Sequence, residues 1–225
     1  MTALRDLLAA RPVLLLDFDG PVCSVFAGLP SRQVAEQLGR AIGIPLPTEL
    51  GATSDPFDIL EFAAAFSPSV AEATERELTR LEVEAVAVAT PTPQAHAVIE
   101  RASARQTVAI VSNNSVAAID TYLRMHGLRA AVAGIYARTS ADTRLKPAPD
   151  LLNLALAATG YGPDHATFTG DSVTDLQAAH SARVPAIAYA NKPGKAERFA
   201  PYEPAVTIRS MSDLFDALRS DSVAR

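Results

Sequence analysis

Two carboxylates stand two residues apart at the end of an apolar run, where Asp17 and Asp19 follow Pro12 to Leu16. Side chains at this spacing share one face of a strand, so the two acids should project together where the strand leaves its sheet. Their repulsion requires a nearby cation or a proton on one carboxyl. The pair suits an enzyme in which one aspartate attacks phosphorus and the other exchanges a proton. A strand followed by an ordinary Asp-Gly turn would give the same short motif.

A second acidic pair follows a later apolar run. Asp171 and Asp175 come after the segment Ala166 to Gly170 and are one helical turn apart, so both can reach a common point at a helix N-terminus. Carboxylate oxygens suit Mg²⁺, which takes one or two protein carboxylates and keeps several waters. These residues predict a magnesium site. Capping of the helix by Asp171, Ser172 and Asp175 is the alternative explanation.

Two further segments could bind an anion. Ser112 and Asn113 follow an apolar run and precede a helical pattern, so a hydroxyl and free backbone amides would meet the positive end of the helix dipole. Lys146 precedes Pro147 and is therefore presented from a stiff, extended loop. The alternatives are helix capping by the Ser and Asn side chains and an ordinary solvated lysine.

Short apolar runs alternate with longer amphipathic stretches along the chain, which is typical of parallel strands joined by crossover helices. We predict an α/β fold, a doubly wound Rossmann-like parallel sheet, in which ligands bind outside the carboxyl ends of the strands. All four segments fall at or near such ends. The predicted strands are 13–18, 108–112, 135–137, 166–169, 186–190 and 205–208. The predicted helices are 3–10, 31–42, 56–66, 70–89, 94–105, 116–127, 148–159, 173–183 and 212–219.

The interval between Asp17 and Ser112 is far longer than the roughly thirty residues of a strand–helix–strand unit. It shows helical patterns and no convincing strand. We predict an inserted all-helical cap domain at residues 24–91, on a core domain formed by residues 1–23 and 92–225. The charged residues of its longest helix predict a solvated face with ion pairs rather than a binding surface. They are Glu72, Glu75, Arg76, Glu77, Arg80, Glu82 and Glu84.

The composition disfavours several classes of protein. A net charge of −5 and a pI of about 5.4 give no attraction for nucleic acid or an anionic membrane surface. The apolar run Val13 to Leu16 is too short for a signal peptide or a membrane span. Cys23 is the only cysteine, so neither an intrachain disulfide nor a thiolate zinc site can form. We expect a cytoplasmic monomer or homodimer in which Cys23 is a buried thiol.

Taken together, the segments resemble the haloacid dehalogenase-like superfamily, specifically its phosphatases with a helical cap inserted after the first strand. Phosphoglycolate phosphatases are similar in layout. The resemblance spans essentially the whole chain. It rests on Asp17-Phe18-Asp19-Gly20, Ser112, Lys146 and Gly170-Asp171-Ser172 with Asp175, in that order.

The resemblance implies a magnesium-dependent phosphomonoester hydrolase that acts on a small phosphorylated metabolite through an aspartyl-phosphate. Asp17 would be the nucleophile. Asp19 would protonate the leaving alcohol and then activate water. Ser112 and the Asn113 amide would hold the phosphoryl oxygens, while Lys146 would steady both the nucleophile and the phosphate.

The resemblance also implies a set of metal ligands. Asp17, the carbonyl of Asp19 and Asp171 would hold Mg²⁺, with Asp175 as a further ligand or as support. The sequence departs from the family at Pro21, where a threonine is usual. Because the proposed phosphate donors lie nearer the nucleophile, we expect Pro21 to be tolerated.

Other functions stay open at this stage. A phosphomutase would pass the phosphoryl group to a second substrate hydroxyl, and a non-catalytic regulatory or binding protein could keep the fold. A true dehalogenase is disfavoured, because its chemistry needs neither magnesium nor Asp19 as a proton donor. Substrate specificity should reside in the cap, where Arg32, Asp55, Asp58 and Arg76 are candidates.

Overall fold

The computed structural model describes residues 2–219. Its strands are β1 Val13–Leu16, β2 Cys23–Ser24, β3 Thr90–Pro91, β4 Thr107–Ser115, β5 Gly134–Arg138, β6 Ala166–Gly170, β7 Ala186–Tyr189 and β8 Val206–Ile208. Its α-helices are α1 Thr2–Ala9, α2 Ser31–Ala41, α3 Thr48–Gly51, α4 Pro56–Phe66, α5 Pro68–Val86, α6 Ala95–Ser103, α7 Val116–Met125, α8 Asp150–Thr159, α9 Val173–Ser181, α10 Lys195–Phe199 and α11 Met211–Ala217.

Six of these strands form one parallel sheet in the order β5-β4-β1-β6-β7-β8. The strand order reverses on either side of β1, so the predicted doubly wound α/β fold is confirmed. β1 pairs with β4 on one side and with β6 on the other. The carboxyl ends of these three strands therefore meet at one edge of the sheet.

Side-chain alternation along β1 explains why helices cover both faces of the sheet. Val13 and Leu15 pack with apolar residues of α8 and α9. Leu14 and Leu16 point the other way and pack with α1, α6, α7 and α11. All four side chains are fully buried. Burying each such side chain stabilises the fold by roughly 1.5–3 kcal/mol, which holds the end of β1 in a fixed place.

The helices α2, α4 and α5 lie between β1 and β4 in the chain and form an apolar cluster of their own. This cluster includes Val34, Leu38, Ile59 and Leu78. α4 begins at Pro56, where the sequence predicts a helix start, and Asp55 caps it. The predicted boundaries of a cap domain at 24–91 and a core domain at 1–23 and 92–225 stay a prediction.

Two features of this insertion differ from the sequence-based expectation. β2 and β3 form a short antiparallel pair at its two edges, where we predicted no strand; two residues are too few to show an alternating pattern. The helix α5 is not simply a solvated face. Arg80 pairs with Glu77 and Glu84 near the surface, but Glu75 and Glu82 bind the buried guanidinium of Arg138.

Across residues 2–219, every helix is too short or too polar to cross a bilayer.

Candidate functional site

The two aspartates of the first motif lie at the end of β1. The Asp17 N–H donates to the Thr169 carbonyl at 2.9 Å, which continues the pairing with β6 beyond Leu16. Asp17 is buried, with 7% of its surface exposed. Asp19 accepts a hydrogen bond from the Val25 N–H at 2.9 Å through Oδ1. The turn that follows β1 thus fixes the second carboxylate relative to the first.

Gly20 allows the turn after β1 to approach the second acidic pair. A Cβ atom at this position would lie 2.4 Å from Cγ of Asp171, and the backbone has φ +104°. Only glycine adopts such a φ without strain while leaving this space empty. The Asp171 carboxylate therefore packs directly against the turn that carries Asp19.

Lys146 is the central cation of the site. Its Nζ lies 2.8 Å from Asp17 Oδ1 and 2.5 Å from Asp175 Oδ1, and it donates to the Val111 carbonyl at 3.2 Å. Asn113 holds the backbone of Lys146 with two bonds: Oδ1 accepts from its N–H at 2.8 Å, and Nδ2 donates to its carbonyl at 3.0 Å. The structure thus brings together the lysine, the nucleophile candidate and the second acidic pair.

Asp175 is fully buried, and both of its carboxylate oxygens have partners. Oδ1 binds Lys146, and Oδ2 accepts from the Asp171 N–H at 3.0 Å, the Ser172 N–H at 2.9 Å and the Ser172 hydroxyl at 2.7 Å. Ser172 and Asp175 form a capping box at the start of α9. Helix capping, the alternative raised from the sequence, is therefore present at Asp175. Its role as a metal ligand stays a prediction.

The structure adds one residue to the site. Lys195 donates to Oδ2 and to the carbonyl of Asp171, at 2.5 and 2.7 Å. Its position after β7, at the start of α10, is the signal that could have placed it near this edge.

Ser112 lies at the end of β4, where the pairing with β5 shifts register between Ser112 and Ser115. Its side chain is buried and donates to Asn114 Oδ1 at 3.3 Å. Ser115 caps α7 by accepting from the Ala118 N–H. Helix capping, the alternative raised for this segment, is thus present at Ser115. Anion binding by the Ser112 hydroxyl stays a prediction.

Burial raises the pKa of both acids of the first motif. The pKa of Asp17 rises to about 7, because burial and the nearby Asp175 carboxylate outweigh Lys146, whose charge is shared between the two acids. Burial raises the pKa of Asp19 to about 6, although the hydrogen bond from Val25 opposes the shift. Burial also opposes the charge on Lys146, but Asp17 and Asp175 raise its pKa to about 12.

The donor set of the site fits a divalent cation that prefers oxygen ligands. Carboxylate oxygens of Asp17, Asp171 and Asp175 all lie within 4.8 Å of one another. Within residues 2–219, ion pairs bring two ammonium groups to these acids, those of Lys146 and Lys195. Together with Asp19, the site holds four carboxylates, which when all ionised carry two more negative charges than the two ammonium groups offset. One divalent cation would balance this excess. Oxygen ligands of this kind suit Mg²⁺.

The predicted site residues other than the fully buried Asp175 line one cavity of about 610 Å³, which lies between the end of the sheet and the insertion. The wall from the insertion contains Asp55, Asp58 and Glu61. Arg32 and Arg76, the other two specificity candidates, are exposed and do not line this cavity. The predicted site residues at the end of the sheet that line this cavity are Asp17, Asp19, Ser112, Asn113, Lys146 and Asp171.

Comparison with known proteins places the chain in a family. Residues 13–183 match the family model of haloacid dehalogenase-like hydrolases. The chain belongs to this family. No curated protein matches the chain.

Solved structures share the fold of the chain at low sequence identity. A predicted phosphatase from Clostridium acetobutylicum is 14% identical with a TM-score of 0.72, over 92% of this chain and 97% of that one. A predicted phosphoglycolate phosphatase from Haemophilus somnus is 17% identical with a TM-score of 0.69, over 93% and 99%. CbbY from Rhodobacter sphaeroides, in complex with phosphate, is 22% identical with a TM-score of 0.68, over 91% and 96%.

Pro21, the departure from the family pattern, sits in a turn that does not need its missing N–H. The Gly20 N–H donates to the Cys23 carbonyl at 2.7 Å, and the Val22 N–H donates to the Phe18 carbonyl at 3.1 Å. The Thr92 hydroxyl donates to the Gly20 carbonyl at 2.6 Å. Cys23 itself is buried, as expected, and burial raises the pKa of its thiol.

Gly20→Ala should weaken binding of Mg²⁺ because the added methyl group would displace the Asp171 carboxylate. Gly43→Ala is the matched control: its φ is also positive, at +71°, but a Cβ there meets nothing within 4 Å. Backbone strain should cost each variant roughly 1–3 kcal/mol of unfolding free energy, and the contact with Asp171 should add to the loss in Gly20→Ala. Calorimetric titration with Mg²⁺ should show weaker binding only for Gly20→Ala. Equal affinities in the two variants would contradict the proposed contact.

Asp17→Asn should stabilise the metal-free protein at pH 8. The folded pKa of about 7 lies above the unfolded value of 3.8. The folded state therefore keeps its proton longer, and stability falls as the pH rises from about 4 to about 7. Between pH 5.5 and pH 8, the melting temperature should fall less for Asp17→Asn than for wild type. Each kcal/mol of unfolding free energy corresponds to roughly 2 to 4 °C in melting temperature.

The exposed Asp164, before β6 at the opposite edge of the sheet, supplies the control for this measurement. Asp164→Asn should leave the pH dependence of wild type unchanged. An Asp17→Asn protein that melts below wild type at pH 8 would show that the Asp17 carboxylate stabilises the fold in its charged form.

Proposed function

We propose that the protein is a magnesium-dependent phosphatase that hydrolyses a small phosphomonoester through an aspartyl-phosphate on Asp17. The observation that carries the proposal is the position of Lys146 Nζ, 2.8 Å from Asp17 Oδ1, in a cavity that also contains Asp19 and Ser112. A carboxylate beside a fixed cation is a nucleophile that can receive an anionic phosphoryl group without prohibitive repulsion. The family match and the phosphatase names of the solved structures with this fold support the same activity.

In the proposed first step, one carboxylate oxygen of Asp17 attacks phosphorus. The bond from phosphorus to the alcohol oxygen breaks, and protonated Asp19 gives its proton to that oxygen. The raised pKa of Asp19, about 6, makes the protonated form accessible near neutral pH. The hydroxyl of Ser112 and the Asn113 N–H would hold the phosphoryl oxygens, while Lys146 neutralises part of their charge.

In the proposed second step, Asp19 takes a proton from water, and the water oxygen attacks phosphorus. The bond from phosphorus to Asp17 breaks, which releases inorganic phosphate and restores the carboxylate. Bound Mg²⁺ would offset the charge on the phosphate and on the carboxylates around it. We propose Asp17, the Asp19 carbonyl and Asp171 as its ligands. Asp175 supports them by holding Lys146 and the N–H groups of Asp171 and Ser172.

The direct test is release of inorganic phosphate from a panel of phosphomonoesters, with Mg²⁺ and with EDTA. Hydrolysis that requires Mg²⁺ and is lost in Asp17→Asn would support the proposal. Asp164→Asn should retain wild-type activity. If wild type releases phosphate from none of the esters, the chain is not a phosphatase of this kind. Transfer of the phosphoryl group to a second hydroxyl of a sugar phosphate would instead indicate a phosphomutase.

Asp19→Asn should fold normally and lose about 10²- to 10⁴-fold in turnover of an alkyl phosphate, because the leaving alkoxide is no longer protonated. The loss in the first step should be smaller with p-nitrophenyl phosphate, whose leaving group needs no proton. A burst of p-nitrophenol in stopped-flow experiments would report this step. Near-full activity of Asp19→Asn on alkyl phosphates would refute its role as the acid.

The leaving group of the substrate should be uncharged or cationic. The cavity wall from the insertion carries the carboxylates of Asp55, Asp58 and Glu61, and no lysine or arginine from residues 24–91 lines it. Glycerol phosphate should therefore be hydrolysed with a kcat/KM roughly five- to tenfold above that of phosphoglycolate, which carries an extra carboxylate. Asp58→Asn with Glu61→Gln should reduce this preference. A preference for phosphoglycolate in wild type would contradict the prediction.

A further inference from the structure

A second charged cluster lies beside the site, and the proposed mechanism does not use it. Glu82, in the helix α5, is fully buried. Its Oε1 accepts from Asn114 Nδ2 at 3.1 Å, and its Oε2 accepts from the Ser115 N–H at 2.9 Å and from Arg138 at 2.5 Å. Both oxygens of this carboxylate thus have partners, and two of the three partners lie at the end of β4.

Arg138, the last residue of β5, completes the cluster. Its guanidinium is also fully buried and binds Glu75 Oε1 at 2.7 Å in addition to Glu82. Its Nε donates to the Asn113 carbonyl at 3.3 Å. Arg138 therefore links two positions of α5 to the strand end that carries Ser112.

The contacts of the pair converge on one short segment, Ser112–Ser115. The Asn113 carbonyl binds Arg138, while the Asn114 side chain and the Ser115 N–H bind Glu82. Ser112 is reached indirectly, because its hydroxyl donates to the Asn114 side chain that Glu82 holds. The segment departs from regular strand pairing here, so side-chain contacts define the positions of its donors.

The helix α5 connects this segment to the insertion. Leu78 and Leu81 belong to the apolar cluster of the insertion, whereas Ala85 and Val86 belong to the cluster on the sheet. Glu82 lies between these two pairs. A single helix thus spans both clusters and contacts the strand end between them.

Stability is a weak reason for this arrangement. Removing two charges from water is expensive, and apolar residues of similar volume are often equally or more stable in place of a buried ion pair. The hydrogen bonds to the Asn113 carbonyl and the Ser115 N–H have a directional role that apolar residues would not supply.

We propose that Glu82 and Arg138 are positioning residues, which hold the Ser112–Ser115 segment in the geometry that binds the phosphoryl group and tie that geometry to the insertion through α5. The inference rests on the proposed function for its kinetic consequence. The segment-positioning role itself can be measured without substrate.

The test compares wild type with the double variant Glu82→Gln, Arg138→Met, which removes both charges and leaves the net charge unchanged. The Glu75 side chain, which also loses Arg138, is 12% exposed and keeps the hydrogen bond from Thr79, so the double variant should melt within a few degrees of wild type. Its KM for the ester and its Ki for inorganic phosphate should both rise at least about tenfold, because small displacements of binding groups are costly. Amides of the Ser112–Ser115 segment should exchange with deuterium faster by a similar factor.

Glu84→Gln is the matched control, since Glu84 lies two residues along on α5 and pairs with Arg80 near the surface. It should match wild type in melting temperature, KM, Ki and amide exchange. A folded double variant with wild-type kinetics and wild-type exchange would overturn the inference. If the double variant does not fold, Glu82→Asp replaces it, because this change keeps the charge but withdraws the carboxylate from the strand end. The same measurements on Glu82→Asp then test the positioning role.

The two proposals fail in different ways. If wild type hydrolyses no phosphomonoester, the proposed function is wrong, and the exchange rates of the Ser112–Ser115 segment still decide the role of Glu82 and Arg138. If wild type is an active phosphatase and the double variant binds phosphate equally well, only the positioning role is wrong.

Discussion

The site depends on one ammonium group held between two buried carboxylates. Lys146 Nζ contacts Asp17 at 2.8 Å and Asp175 at 2.5 Å. These partners come from the turn directly after β1 and from α9, and Asn113 of β4 fixes the lysine backbone. Because an unpaired charge at this depth would be strongly destabilising, the three segments must stay together for the fold to be stable. The same contact that assembles the site therefore also constrains the core.

The charge balance of the site explains why a divalent cation is the fitting partner. Burial raises the pKa of Asp17 and Asp19, so a nearby cation would favour their charged forms. Lys195 offsets part of the charge on Asp171. Because Gly20 has no Cβ atom, the Asp171 carboxylate can lie against the turn that carries Asp19.

Much of the fold and the convergence of the candidate site could be predicted from the sequence. Apolar runs identified the six strands of the sheet, and their carboxyl ends brought Asp17, Ser112 and Lys146 to one edge. The partner of Glu82 could not be predicted, because helical spacing does not show which distant residue a buried carboxylate will meet. An arginine directly after the apolar residues of β5 was the available signal. The two-residue strands β2 and β3 were too short to leave any pattern.

Chemical trapping of the intermediate tests the central claim most directly. The Asp19→Asn variant, mixed with p-nitrophenyl phosphate and Mg²⁺ and quenched with borohydride, should accumulate an aspartyl-phosphate that is reduced to homoserine. Peptide mass spectrometry should locate this change at position 17, and only when both substrate and Mg²⁺ are present. Release of p-nitrophenol without modification of Asp17, or with modification of another carboxylate, would contradict the account.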